Sequence, residues 1–147
     1  MNKSLTKLLS SAVVLGCVFF SLQTTASPQD WQRIKRPIPA TDGKANPIGS
    51  YSNGCIIGAE PLPYKGEGYQ VIRMNKNRYY GHPDMIAYLQ RLGQKAKSAG
   101  LPTMLVGDIA MPGGGRFLTG HASHQMGLDA DIWLRMGTMT DSEALNS

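Results

Sequence analysis

The sequence predicts one loop-rich domain mixing helix and strand, on three observations. Glycine is in excess, 17 of 147 residues or about 12% against roughly 7% in an average chain, and it follows no three-residue period, so the surplus marks turns. One long segment carries a helical apolar stripe, while the other apolar runs are only strand-sized. Hydrophobic residues make up 41% and charged residues 17% of the chain, which is enough apolar matter for a single core and too little charge for a disordered tail.

Lys3 and Lys7 precede an apolar run from Leu8 to Leu22, and Thr24-Thr25-Ala26 follows as a small-residue cleavage site. This is the secretory pattern, so residues 1–26 are expected to be an export signal and residues 27–147 one domain. The run contains Ser10, Ser11 and Ser21 and falls short of the ~20 residues a membrane span needs, so no stable membrane insertion is expected after cleavage. A lipoprotein signal at Cys17 is the competing reading, but Val18-Phe19-Phe20 keeps the chain apolar where such a signal turns polar. Without Lys3 and Lys7 the formal charge falls from +5 to about +3, a weak hint of an acidic partner. No helix carries a cluster of Lys and Arg and no nucleic-acid motif is present, so DNA and RNA are not expected partners.

Pro28, Pro37, Pro39 and Pro47 make residues 27–50 read as an extended arm rather than a strand or helix, ending in a turn at Tyr51-Ser52-Asn53-Gly54. Cys55-Ile56-Ile57 and Gln70-Val71-Ile72-Arg73 are short β-rich runs expected to pair as neighbours. The helix is predicted from Pro83 to about Ala99. Pro83 suits its first position, Asp84 complements the dipole, Met85, Ile86, Leu89, Leu92 and Ala96 form the stripe, and Gly100 stops it. His82 reads as its N-cap or as a packing residue. Met104-Leu105-Val106 begins a strand after Pro102, and Gly113-Gly114-Gly115 opens a loop. Leu128 to Leu134 alternates in period two, which puts Asp129 and Asp131 on one face of a predicted strand and Leu128, Ala130 and Ile132 on the other. A last helix starts near Asp141, a possible N-cap, with Glu143 in its first turn.

Chemistry concentrates in Gly120 to Asp131, where two of the three histidines stand beside two acids. Imidazole and carboxylate are the usual ligands of catalytic zinc, which takes three protein donors and leaves one position open. His124 and Asp131 lie seven residues apart, more than about 20 Å along an extended chain. Ligands of one metal put their donor atoms about 3 Å apart. Only a reversal between them reconciles the two, and Gly127 permits one. His121 is close enough to join or flank the same site. Two aspartates on one strand face also call for a partner. Asp108 is either a further active-site acid or, more simply, a cap at the end of its strand. The glycine run, with Gly114 at its centre, fits a loop that lets an extended substrate approach the backbone, and Arg116 is either a carboxylate contact or a solvated arginine. The run is no phosphate loop, because it lacks Gly-Lys-Ser or Gly-Lys-Thr. Removing the signal leaves one cysteine, Cys55. It is either a buried thiol or half of a disulfide whose partner this chain does not contain.

His124-Gln125-Met126-Gly127-Leu128-Asp129-Ala130-Asp131 resembles the His, six residues, Asp motif of the zinc peptidases grouped as lysostaphin, D-Ala-D-Ala carboxypeptidase and hedgehog-like. Four wider segments, Ile48 to Cys55, Tyr80 to Pro83, Met111 to Phe117 and Gly120 to Gln125, resemble the penicillin-insensitive murein endopeptidase family within that group. The resemblance runs from about Trp31 to Leu134. It implies an α+β fold, an antiparallel sheet with flanking helices and the zinc at one sheet face. It implies zinc on His124 and Asp131 with His121 at the site, a periplasmic location, and hydrolysis of the D-alanyl to meso-diaminopimelyl cross-links of peptidoglycan. It further implies a C-terminal His-x-His element supplying another ligand and the catalytic base. No histidine follows His124 here, so the chain is expected to be truncated relative to the family, with its catalytic base unassigned and the partner of Cys55 missing. The rival reading is a non-catalytic exported domain that binds cell wall or metal.

Overall fold

A computed structural model of the chain describes residues 39–147; the expected export signal and most of the expected arm lie outside them. Strands β1 (Asn46–Ser50) and β2 (Asn53–Ile57) form an antiparallel hairpin closed at Tyr51-Ser52. The proline-bearing arm is therefore a strand at its end. Pro47 is tolerated because β1 is an edge strand, with no neighbour on its far side among the described residues. Strands β3 (Glu60–Pro61) and β6 (Tyr80–Gly81) make a second small antiparallel pair. The third sheet joins β4 (Lys65–Gly66), β5 (Tyr69–Val71) and β7 (Met104–Val106).

This third sheet holds the core, and it corrects the expectation of a wholly antiparallel sheet. β4 and β5 are antiparallel, but β5 and β7 run parallel, with Tyr69, Gln70 and Val71 opposite Met104, Leu105 and Val106. Parallel strands need a crossover, here helix α1 (Pro83–Ser98). Nor does Cys55-Ile56-Ile57 pair with the Gln70 run: the first pairs with β1 and the second with β4 and β7. Tyr69, Val71, Met104 and Val106 pack with Leu62, Ile86, Leu89 and Ile109 in one cluster. Leu105, on the alternate face, packs with Ile72 and with Ala144 of helix α2 (Asp141–Asn146). Gln70 is buried on β5 and is paired by both ends of its amide to the backbone of Met139, at 2.9 Å each way. Both sheet faces are thus covered, as a parallel pair requires.

Helix α1 starts and stops as its sequence dictates. The His82 side chain accepts from Asp84 N as N-cap. At the other end Gly100 takes φ +73°, Gly100 N donates to Lys97 O and Leu101 N donates to Ala96 O, a Schellman stop. Gly93 allows close contact with the β4–β5 turn, because a Cβ there would lie 2.6 Å from Glu67 O. The N-cap of α2 is Thr140 rather than Asp141, in a reciprocal capping box with Glu143. No helix among the described residues is long and apolar enough to cross a membrane.

Candidate metal centre

The predicted strand from Leu128 to Leu134 is reduced to a single antiparallel bridge, Val106 to Ile132. Leu128 and Ile132 remain partly exposed, at 47% and 39%, so their side of the segment buries too little to extend a ladder. What survives is a clamp around Asp131. Gly107 N donates to Asp131 O at 2.8 Å, Asp131 N donates to Asp108 O at 2.9 Å, and Trp133 N donates to Leu105 O at 3.0 Å. The expected reversal occurs at Gly127, whose φ is +66° and whose carbonyl accepts from His82 N at 2.9 Å.

His124 is held from its neighbour. The Gln125 side chain is buried, accepts from Gly54 N at 3.0 Å and donates to Ser52 O at 2.7 Å and Ala122 O at 2.9 Å, which latches the β1–β2 hairpin onto the histidine loop. Gly115 N also donates to Gln125 O. A Cβ at Gly114 would lie 2.2 Å from that same oxygen, so this buried glycine is required by close backbone packing. Gly115 and the exposed Arg116 instead line a hollow of about 470 Å³ shared with Ile48, Gly54, Cys55 and Gln125. Cys55 is half-buried and carries a free thiol among the described residues.

His121 Nδ1 stands 3.1 Å from His124 Nε2, and the two Asp131 carboxylate oxygens stand 3.4 Å from His124 Nε2 and 3.4 Å from His121 Nδ1. Bonds of 2.0–2.1 Å at tetrahedral angles would set donor atoms about 3.3 Å apart, so the three side chains meet the geometric demand of one zinc ion. Their chemistry fits as well. His124 is buried, with its Nδ1 lacking a hydrogen-bond partner among the described residues and facing Asp129 Oδ2 at 3.4 Å. A carboxylate beyond the second ring nitrogen is how a ligating histidine is kept in the tautomer that offers its other nitrogen to the metal. Asp129 is oriented in turn by Ser123 Oγ, which donates to its Oδ2 at 2.5 Å. Both aspartates face His124, but from different sides of its ring: Asp131 stands by Nε2 and Asp129 by Nδ1. His121 is 63% exposed at its side chain, so the cluster opens to solvent on that side.

Asp108 is neither a strand cap nor part of the donor set. It is buried, and its Oδ2 accepts from Arg78 Nη1 at 2.9 Å and from Arg73 Nη1 at 3.2 Å. The Arg78 guanidinium lies over Phe117, with Cζ 4.0 Å from the ring centroid. Phe117 stacks on His124 at 5.4 Å between centroids and 14° between planes. Sequence reasoning missed Phe117, Arg78 and Gln125 as parts of this site. Only Gln125 left a signal, by standing beside His124 inside the motif.

Fold and site together define a small α+β domain bearing a three-donor cluster of the kind used by hydrolytic metal centres. The chain belongs to the penicillin-insensitive murein endopeptidase family, whose sequence profile matches residues 47–147. It is 76% identical over 141 residues to the penicillin-insensitive murein endopeptidase of Haemophilus influenzae (strain ATCC 51907 / DSM 11121 / KW20 / Rd), covering 96% of this chain and 49% of that protein. It is 47% identical over 136 residues to the protein of the same name from Escherichia coli O157:H7, covering 92% and 46%. Against that of Salmonella paratyphi B (strain ATCC BAA-1250 / SPB7) the figures are 48% over 134 residues, 91% and 47%. The chain spans about half the length of the curated relatives it matches.

Proposed function

We propose that this chain forms the metal-bearing part of a zinc peptidase that hydrolyses the D-alanyl to meso-diaminopimelyl cross-links of peptidoglycan in the periplasm. The observation that carries the reading is the convergence of His121 Nδ1, His124 Nε2 and the Asp131 carboxylate within 3.1–3.4 Å of one another. These three residues would hold the ion. When bound, zinc polarises a scissile carbonyl and lowers the pKa of its water toward about 7. The protein's own residues do the positioning. The backbone clamp on Asp131 and the Asp129 carboxylate behind His124 fix two donors before any ion arrives, and exposed His121 leaves the solvent side open to substrate. Arg116, beside Gly115 on the rim of the hollow, suits a carboxylate of the stem peptide. The secretory pattern of residues 1–26 supports a location where peptidoglycan lies.

The test measures zinc bound per chain in the unmodified protein and in His124→Ala and Asp131→Asn, beside chelator-sensitive conversion of cross-linked dimeric muropeptide to monomer. One zinc per chain, lost in both variants, is the expected result. Unchanged zinc content in either variant overturns the ligand assignment, and cleavage that survives chelation overturns the metallopeptidase reading.

A further inference from the structure

Resting on the reading that the cluster holds zinc, we propose that Phe117 and Arg78 are positioning residues for His124: a stack anchored on Asp108 that sets the plane of the imidazole. A histidine ring turns about a broad, roughly two-fold χ2 well, so burial alone does not aim Nε2. A flat neighbour does, because rotation would drive the imidazole edge into the facing ring. Two rings stack on His124, the exposed His121 at 25° between planes and the buried Phe117, closer to parallel at 14°; Phe117 is the one held within the protein. Phe117 is itself 5% exposed and capped by the Arg78 guanidinium, a cation on the ring's electron-rich face.

Arg78 is fixed in three ways. Its Nη1 donates to buried Asp108 Oδ2, its Nη2 donates to Thr119 O at 3.4 Å, and its carbonyl accepts from Ile109 N at 2.6 Å. Asp108 then serves both ligands at once. Its carboxylate holds the stack that orients His124, and its carbonyl accepts the amide of Asp131. One buried residue thus ties together the placement of the two donors. A stack serving only to fill space would tolerate an aliphatic side chain of similar volume; a stack that aims a ring would not.

The probe is cobalt(II), titrated into the full chain and read by the intensity of its visible bands, which report coordination geometry, with urea unfolding of each variant as a control. Outer-shell partners of a metal ligand are typically worth about 10- to 100-fold in affinity. Phe117→Leu, which keeps bulk and loses the flat face, is expected to weaken cobalt binding at least tenfold and change the band intensity. Arg78→Lys, which keeps the charge on Asp108 and loses the planar cap, is expected to weaken it severalfold. Phe117→Tyr, which keeps the flat face, is expected to bind cobalt as the unmodified chain does. Phe117→Leu binding cobalt within threefold of the unmodified chain, with the same spectrum, overturns the proposal; if that variant does not fold, the same outcome in Arg78→Lys overturns it. Failure of the zinc reading shows separately, as no cobalt uptake by the unmodified chain. The proposal is then decided by NMR of the metal-free protein, where the through-space contact between the His121 and His124 rings must persist in Phe117→Tyr and vanish in Phe117→Leu. Its persistence in Phe117→Leu overturns the proposal.

Discussion

Replacing Gly127 by alanine tests whether the turn between the two donors is set by close approach or only by backbone freedom. The residue adopts φ +66°, a region where an alanine costs about 1–2 kcal/mol. A Cβ there would also lie 2.8 Å from Gly81 Cα, 2.9 Å from His82 N and 3.1 Å from Gly81 C. These are backbone atoms at the junction of β6 and α1. They cannot retreat without weakening the bond from His82 N to Gly127 O, so overpacking adds about 1–3 kcal/mol. The sum, about 2–5 kcal/mol, is a large part of the stability of an ordinary domain. Gly100 is the internal control. Its φ is +73°, but nothing lies within 4 Å of a Cβ built there, so Gly100→Ala should cost only the conformational part, about 1–2 kcal/mol. Urea midpoints at unchanged slope measure both. Zinc affinity should fall in Gly127→Ala and hold in Gly100→Ala, since only the first lies between His124 and Asp131. Equal losses in the two variants, within about 0.5 kcal/mol, would refute the steric argument.

Asp131→Asn removes the anionic donor and is expected to abolish measurable zinc binding, while Asp129→Asn, which changes only the group behind His124, should cost about 10- to 100-fold; competition with a chromophoric chelator separates them. Gln125→Ala leaves Gly54 N, Ser52 O and Ala122 O without their partner and should cost about 2–4 kcal/mol at roughly 1 kcal/mol per bond, read by thermal unfolding. Glu143 is held below its ordinary value of 4.5, first by the hydrogen bond from Thr140 N, then by the one from Thr140 Oγ1, with a smaller contribution from Arg135. Its share of capping-box stability is therefore fully present above that ordinary value and is lost as pH falls through the lower folded one. Hydrogen exchange of the α2 amides should show the helix fraying in acid, and Glu143→Gln should remove the pH dependence.

Where the determinants are local, the sequence announces them. Proline at the first helical position, a stripe from Met85 to Ala96 and a glycine past the end delimit α1 within a residue. His124, Gly127 and Asp131 could be joined because seven residues and two donors demand a reversal, and one glycine can make it. Period two between Leu128 and Leu134 placed both aspartates on one face, and both stand beside His124, although the segment forms one bridge rather than a strand. Long-range partners left no such trace. Prolines disguised β1, whose edge position makes Pro47 harmless. The parallel partner of β5 lies across the whole of α1, and Asp108 meets Arg73 and Arg78 only after that crossover closes. Nothing in the motif region names Phe117 as the ring that faces His124.

The crossover from β5 through α1 to β7 also sets an order of events. His121, His124 and Asp131 are near neighbours along the chain, yet Asp131 is seated by Leu105, Gly107 and Asp108, which are in place only once β7 has found β5. Such distant pairings form late, because the loop-closure entropy is lost before the contacts return it. The donor loop is thus expected to acquire its shape after β7 pairs with β5. A metal ion meeting the unfinished chain finds two imidazoles and a carboxylate with no common centre. On the proposed zinc reading, a tight site would therefore form only once this crossover has closed.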